Sequence, residues 1–308
     1  MKPPKEASLQ LKTKFKTMKI TVTGSLGNIS KPLTQTLVKA GHEVTVISSN
    51  AAKTTEIEAL GAKAAIGLLS DVDFVTKAFA GADVVYTMIP PNFAAQNYRK
   101  YVGDTAKVYA EAIKKSGVKR IVNLSSIGAD IDGGTGQISG VHDAETILNQ
   151  LNDVAIKHVR AGFFYTNFYS NIPMIKQGFI GGNYSSDTRL LMVSPNDIAA
   201  AIAEELQGNF SGKSVRYIIS DEHTTGEVTK ILGSAIGNPA LNWVEFTDEQ
   251  SYNGMLQGGL TPELARNFTE MGAAIRSAIL WKDFDATGAK ITGKTKLEEF
   301  AKQFAAAF

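Results

Sequence analysis

The sequence predicts an α/β fold, a doubly wound parallel sheet with a smaller, mostly helical C-terminal lobe. Three observations predict it. Apolar, β-branched runs alternate with helix-like stretches from Lys19 to Arg160. The runs are almost continuously apolar, as expected of strands covered on both faces. The first of them passes through glycines directly into a helix in "ITVTGSLGNIS" (Ile20–Ser30), a strand–turn–helix unit that starts many parallel sheets.

The elements follow in order. Lys19–Thr23 reads as the first strand and Lys31–Ala40 as the helix after it. "HEVTVIS" (His42–Ser48) is the second strand, Lys53–Leu60 a helix, and Ala62–Ile66 a short third strand. Asp71–Ala80 is helical and "ADVVYTMI" (Ala82–Ile89) is the fourth strand. Tyr98–Ser116 is a long helix ended by Gly117, "KRIVNLSS" (Lys119–Ser126) the fifth strand, Val141–Leu151 a helix and Val154–Arg160 the sixth strand. Beyond Arg160 the rhythm loosens into the aromatic-rich "AGFFYTNFYSNIPMIKQG". "SPNDIAAAIAEEL" is a helix capped near Asn196 or Asp197, and Lys213–Ser220 is another strand, returning to the sheet. Thr224 with Glu227 forms a capping box before Val228–Ile236. Thr261-Pro262-Glu263 opens a helix reaching about Trp281, and Thr295 with Glu298 reads as a second capping box before a final helix. The expected organisation is a loose tail (1–17), a sheet domain (18–160) and a smaller substrate-side lobe (161–308), with Met18 directly before the first strand.

With 308 residues, 44% of them hydrophobic, the chain can bury one large core. Its net charge of +2 is concentrated in the tail, where five lysines face Glu6; the body is slightly acidic, which speaks against direct nucleic-acid binding. Cysteine is absent, which excludes disulfides and thiolate metal sites, and with only four histidines no metal centre is expected. No apolar run approaches the ~18 residues that span a bilayer, and the N-terminus lacks a signal-peptide core. A cytoplasmic enzyme is expected, and an oligomer is compatible with the sequence.

The chemistry concentrates where strands end. Gly24 permits a tight turn and Gly27 leaves room for a pyrophosphate, which the turn Gly24, Ser25, Leu26, Gly27, Asn28 and Ile29 would hold against the helix N-terminus. Ser30 stands where a third glycine is usual, so a plain βα turn remains an alternative. The second strand ends in Ser48, Ser49 and Asn50, with Lys53 beyond. No carboxylate is there to hold an adenine-ribose 2′-hydroxyl or to repel a 2′-phosphate, so NADP(H) is expected over NAD(H). The same residues would equally cap the next helix. Met88, Ile89 and Pro90, after the fourth strand, and Ser125, at the end of the fifth, would line the nicotinamide side. A Tyr-x-x-x-Lys pair is replaced by His142-x-x-x-Thr146. His142 is the candidate catalytic acid or base, with helix capping or a bond to Glu145 as its structural alternative.

The Gly24-x-x-Gly27 turn, the Pro90-Pro91 loop, "RIVNLSS", "GVHDAETIL", "VRAGFFYTN" and "SPNDIA" come in an order that resembles NmrA-like proteins, atypical short-chain dehydrogenase/reductases. The resemblance covers roughly Met18 to Leu206. It implies a Rossmann fold with NADP(H) or NAD(P)H at the switch point. Such proteins include quinone and azo-dye reductases as well as redox sensors that bind the dinucleotide without turnover. Many members carry an acid after the glycine of the third strand; here Leu68 follows Gly67, so adenine would rest on apolar contacts. The expected activity is reduction of a quinone-like or other small aromatic acceptor, with Phe163, Phe164, Tyr165 and Asn167 walling its pocket. The alternatives are a sensor acting through a partner protein and, for the aromatics, burial in the joint between the lobes.

Overall fold

The computed structural model describes residues 17–308; the expected tail, all but Thr17, lies outside the described residues. The first half of the chain alternates β1 (Lys19–Val22), α1 (Ser30–Lys39), β2 (Glu43–Ser48), α2 (Thr54–Ala59), β3 (Lys63–Ile66), α3 (Val72–Phe79), β4 (Val84–Thr87), α4 (Tyr98–Ser116), β5 (Arg120–Ser126), α5 (Ile138–Asn149) and β6 (Ala155–Ala161). The second half holds β7 (Phe163–Phe164), α6 (Ile172–Ile175), β8 (Phe179–Gly182), β9 (Arg189–Val193), α7 (Pro195–Gln207), β10 (Lys213–Ile218) and β11 (Asp221–Thr224). It continues with α8 (Thr225–Ala235), β12 (Asn242–Glu245), α9 (Asp248–Gln257), α10 (Pro262–Arg276), α11 (Lys282–Ala286) and α12 (Leu297–Ala305).

Seven strands form one parallel sheet in the order β10-β6-β5-β4-β1-β2-β3. The order reverses between β1 and β4, the switch point of a doubly wound sheet, where a crevice opens beyond the strand ends. Central strands are buried on both faces: Val84, Val85, Tyr86 and Thr87 are all buried. The helices divide the core in two. α1 and α7 cover one face around Leu33, Leu37, Ile198 and Ile202. α3, α4 and α5 cover the other around Val75, Tyr109, Ile113 and Leu148.

The remaining strands make two small sheets, β11-β9-β7 and β12-β8. Around them a third core packs Tyr165, Phe168, Trp281, Phe300 and Phe304. α10 lies against the loops at the sheet's carboxyl edge: Glu263 accepts from Tyr98 N–H at 2.7 Å and Glu270 from Gly136 N–H at 3.1 Å. Gly136 has φ +60°, and a Cβ there would lie 2.0 Å from the Asn267 carbonyl, so only glycine allows so close an approach.

Three expected helix starts are corrected. α7 is capped by Ser194, not by Asn196 or Asp197. Asp197 instead accepts from Ser220, Lys294 and Thr295. That commitment removes the Thr295–Glu298 capping box, and α12 starts after Lys296 with no side-chain cap. α5 begins at Ile138, ahead of the expected Val141. α10 ends at Arg276, short of Trp281.

Candidate functional site

At the switch point the chain leaves β1 through Gly24 at φ +88° and Ser25 at φ +54°. A Cβ on Gly24 would meet Met88 Sδ at 2.7 Å and Ser30 Oγ at 2.8 Å, so the turn closes only on glycine. Ser30 is accommodated because its buried hydroxyl donates to the Thr23 carbonyl at 2.9 Å, tying the helix start to the strand end. A Cβ on Gly27 would touch only the Gly24 carbonyl, at 3.3 Å, and otherwise face outward. α1 has no side-chain cap, and the amides of Leu26, Asn28 and Ile29 have no protein acceptor among the described residues. Gly27 and Asn28 are exposed. Open donors at a helix N-terminus suit an anion, and these residues fit a dinucleotide pyrophosphate.

The end of β2 is built onto this turn. Ser48 is buried, and its hydroxyl accepts from Ser25 Oγ at 2.9 Å and from Asn50 N–H at 3.1 Å. It braces the loop from behind, while Ser49 and Asn50 are exposed. Asn50 Oδ1 accepts from Ala52 N–H at 2.9 Å, which fixes the loop and leaves the amide nitrogen free to donate. Lys53 Nζ lies 2.8 Å from Glu56, and Lys31 Nζ, from the first turn of α1, lies 2.9 Å from the same carboxylate. The hydrogen bonds of Lys53 and Lys31 pull the Glu56 carboxyl down to about 2. Two ammonium groups thus converge on one carboxylate in the helix after β2. Lys31 was missed in the sequence; its place in the first turn after the glycines was the available signal. Leu68, after β3, is 59% exposed at the same edge.

Beyond the switch point, Met88, Ile89 and Pro90 are partly exposed. Their backbone is fixed by Tyr109 Oη on the Met88 carbonyl at 2.7 Å and Tyr101 Oη on the Pro90 carbonyl at 2.9 Å. Under α5 two polar rows cross the sheet. In the first, Thr87 donates to Asn123 at 2.9 Å, Asn123 donates to His158 Nδ1 at 3.2 Å, and His158 Nε2–H donates to Asn149 at 3.1 Å. Burial holds the His158 pKa below its ordinary value, so the ring is neutral.

In the second row Ser125, Arg160 and Tyr217 are register neighbours on β5, β6 and β10. Ser125 donates to Glu145, whose carboxylate accepts two bonds from Arg160, at 3.0 and 2.7 Å. Arg160 also reaches Tyr217 Oη at 3.0 Å, Asp283 at 3.2 Å and Asp130 at 3.5 Å. Burial works against its charge, but Glu145 and Tyr217 outweigh it and raise the guanidinium pKa. Because the Ser125 proton is committed to Glu145, its oxygen offers lone pairs and would accept, not donate, a bond from a bound ligand.

His142 lies in the second turn of α5 with Nδ1 2.9 Å from the Ala129 carbonyl and Nε2 3.4 Å from Thr146 Oγ1. A carbonyl only accepts, so Nδ1 carries the proton. The ring lines a cleft between α4 and α5 with Arg99, Asp104 and Asp143, and makes no bond to Ser125 or Glu145. Of the aromatic stretch, Phe163 and Phe164 are half-buried and Asn167 is exposed. Tyr165 is fully buried, stacked on Phe300 at 5.4 Å and bonded to the Thr295 carbonyl at 3.1 Å. It belongs to the joint beneath the site, so the expected pocket wall loses it. An aromatic group absent from the sequence reading lies on the loop after β4: Phe93, 48% exposed, contacts Tyr98 and Phe268 of α10, each at a centroid distance of 6.1 Å.

The chain is similar to several known proteins. An NAD(P)H azoreductase of Xenophilus azovorans is 27% identical over 299 residues, covering 94% of this chain and 99% of that protein. The NADPH complex of the Escherichia coli quinone oxidoreductase QOR2 superposes with a TM-score of 0.76 at 19% identity, covering 92% of this chain and 99% of that one. The NADP(H) complex of Citrobacter sp. triphenylmethane reductase gives a TM-score of 0.76 at 20% identity, with coverages of 93% and 99%. A nucleoside-diphosphate-sugar epimerase of Staphylococcus aureus gives 0.75 at 17% identity, covering 92% and 100%, so the fold alone does not select the reaction. Residues 24–207, more than half of the chain, match the family described as NAD(P)H-binding. In agreement with its motif order and its open glycine turn, the chain belongs to that NAD(P)H-binding family.

Proposed function

We propose that the protein is a cytoplasmic, NADP(H)-dependent reductase that passes hydride to a planar aromatic acceptor of the quinone or azo-dye class. The observation that carries this reading is the near-full-length similarity to an NAD(P)H azoreductase, which extends through the C-terminal lobe as well as the dinucleotide half. The pyrophosphate would lie on the open amides of Leu26, Asn28 and Ile29, beside Gly24, Ser25 and Gly27. Ser49, Asn50, Lys53 and Lys31 would take the 2′-phosphate, and Leu68 would support the adenine. Met88, Ile89 and Pro90 would border the nicotinamide, with Ser125 accepting from its carboxamide.

The bound cofactor supplies a hydride, so quinone, NADPH and one proton give hydroquinone and NADP⁺. The protein's part is to hold the acceptor in place and keep water away. Phe93 and Phe268 offer a surface for stacking, with Phe163, Phe164 and Asn167 as the further wall. His142 would deliver the proton. Its Nδ1–H is committed to Ala129, so it would do so through Nε2.

The test is steady NADPH oxidation at 340 nm against a panel of quinones and azo dyes. Gly27→Val serves as control, since its Cβ would meet only the Gly24 carbonyl, at 3.3 Å, and should spare the fold while filling the space proposed for the pyrophosphate. The expected result is turnover by the wild type and loss of both NADPH binding and turnover in Gly27→Val. Tight NADPH binding with no turnover on any acceptor would overturn the reductase reading in favour of a redox sensor.

A further inference from the structure

Away from the dinucleotide site, Asp221, His223 and Glu298 each bring a ligand atom to within 4.8 Å of the other two. We propose that they form a binding site for one divalent cation of the zinc type. Asp221 and His223 are two apart on β11, so strand alternation puts both on one face. Glu298 comes from the first turn of α12, whose leading amide, Leu297 N–H, donates to Asp221 Oδ2 at 3.3 Å. A cation here would join β11 to the last helix.

The spacing of the His223–Asp221 pair matches a metal better than a proton. His223 Nε2 lies 3.2 Å from Asp221 Oδ2. Two ligands on a tetrahedral zinc, with bonds of ~2.0–2.1 Å, stand ~3.3 Å apart. Yet Nε2, shielded from solvent, makes no hydrogen bond among the described residues, so the carboxylate lies off the axis that an N–H···O bond requires. A cation on that axis would bind both atoms. The other ring nitrogen, Nδ1, faces Glu227 at 3.6 Å. A carboxylate on that side favours the Nδ1–H tautomer and leaves the Nε2 lone pair for a metal.

The third ligand and the competitor are both mobile enough for binding. Glu298 is exposed, so its side chain can close onto the site. Lys296 Nζ lies 3.1 Å from Asp221 Oδ1, but its side chain is 56% exposed and can withdraw into water. Asp221 and Glu298 bring two carboxylates to the site and Glu227 a third on the far side of the ring, so a divalent charge is accommodated. One imidazole and two carboxylates with a water as fourth ligand suit zinc over magnesium. The count of four histidines argued against a metal centre, but a mixed site needs only one of them.

The test is calorimetric titration of tag-free, chelator-treated full-length protein with Zn²⁺, alongside thermal melting with and without Zn²⁺. One Zn²⁺ per chain with a micromolar dissociation constant and a raised Tm is expected. His223→Ala and the exposed, near-isosteric Glu298→Gln should each weaken binding by about tenfold or more. Lys296→Met should tighten it, which a purely structural role for these residues would not produce. Wild-type affinity no better than millimolar, or affinity unchanged in both Glu298→Gln and His223→Ala, would overturn the proposal.

Discussion

Replacing Lys31 and Lys53 tests the cofactor reading most directly, because both ammonium groups meet at Glu56, in the helix after β2, and neither belongs to the glycine turn. In the structure both are held by Glu56, at 2.9 and 2.8 Å. A 2′-phosphate would have to share them with that carboxylate. A charge-assisted bond to phosphate contributes roughly 1.5–3 kcal/mol where it is well made. Exposed lysines that must leave or share an existing partner retain only about 0.5–1 kcal/mol each. Since 1.4 kcal/mol is a factor of ten, each lysine should account for roughly a two- to fivefold preference for NADPH over NADH. Ser49 and Asn50 add neutral donors that either substitution leaves in place. Lys31→Met and Lys53→Met should therefore each lower NADPH affinity two- to fivefold, and together about tenfold, with NADH affinity unchanged. Glu56→Gln frees both ammonium groups and should move the ratio the other way. The preference should also shrink between low and high salt, because the groups are exposed. Titration calorimetry of both cofactors against the wild type and the four variants reads the ratio. An unchanged ratio in the double variant, or a parallel fall in NADH affinity, would refute the assignment of the phosphate to this corner.

Two further outcomes concern the polar rows beneath α5. Glu145→Ala leaves the Arg160 guanidinium buried without its two-bond partner; with Asp283 and Asp130 still at 3.2 and 3.5 Å, the cost is about 3 kcal/mol. Tm should fall by about 4–6 °C, and a fall under about 1 °C would show that the network carries little stability. His158 is neutral in the fold, so below its ordinary value of about 6.5 the unfolded chain binds a proton that the native protein does not. Stability is therefore present above that pH and is lost as pH falls toward the depressed native value, with a slope of at most about 1.4 kcal/mol per pH unit. Urea midpoints between pH 7.5 and 5.5 should fall less steeply in His158→Gln; identical slopes would assign the pH dependence to other groups.

The strand–helix alternation of the first half was legible because its signals are local. α4 spans Tyr98–Ser116, as the sequence predicts, since Asn97 caps it and Gly117 ends it at φ +75° within the same stretch. α5 begins ahead of the expected Val141, and its first turn includes Gly140, which packs against Val102 and Arg99, contacts made across the sequence. The short strands β7, β8, β9, β11 and β12 hold two to five residues, too few to show a period. Thr295 was misread because the spacing to Glu298 has the form of a capping box, whereas the threonine's partner is Asp197, 98 residues away. The glycine turn and the end of β2 could be located by position. The second lysine, the Arg160 network and the Phe93–Phe268 contact depend on tertiary neighbours that spacing does not reveal.

The seventh strand has a consequence for dividing this chain. β10 joins the sheet only after the segment that supplies β7, β8, β9 and α7, and it pairs with β6 along six register positions. A fragment cut after residue 160 would keep the glycine turn and six strands but turn an interior strand into a margin. The amides and carbonyls of β6 that now bond to β10 would face solvent, beside a buried arginine stripped of Tyr217 and Asp283. Such a margin is a template for intermolecular strand addition. The first half of the chain is thus not a separable unit, because the edge of its sheet is closed by β10, a strand supplied by the second half.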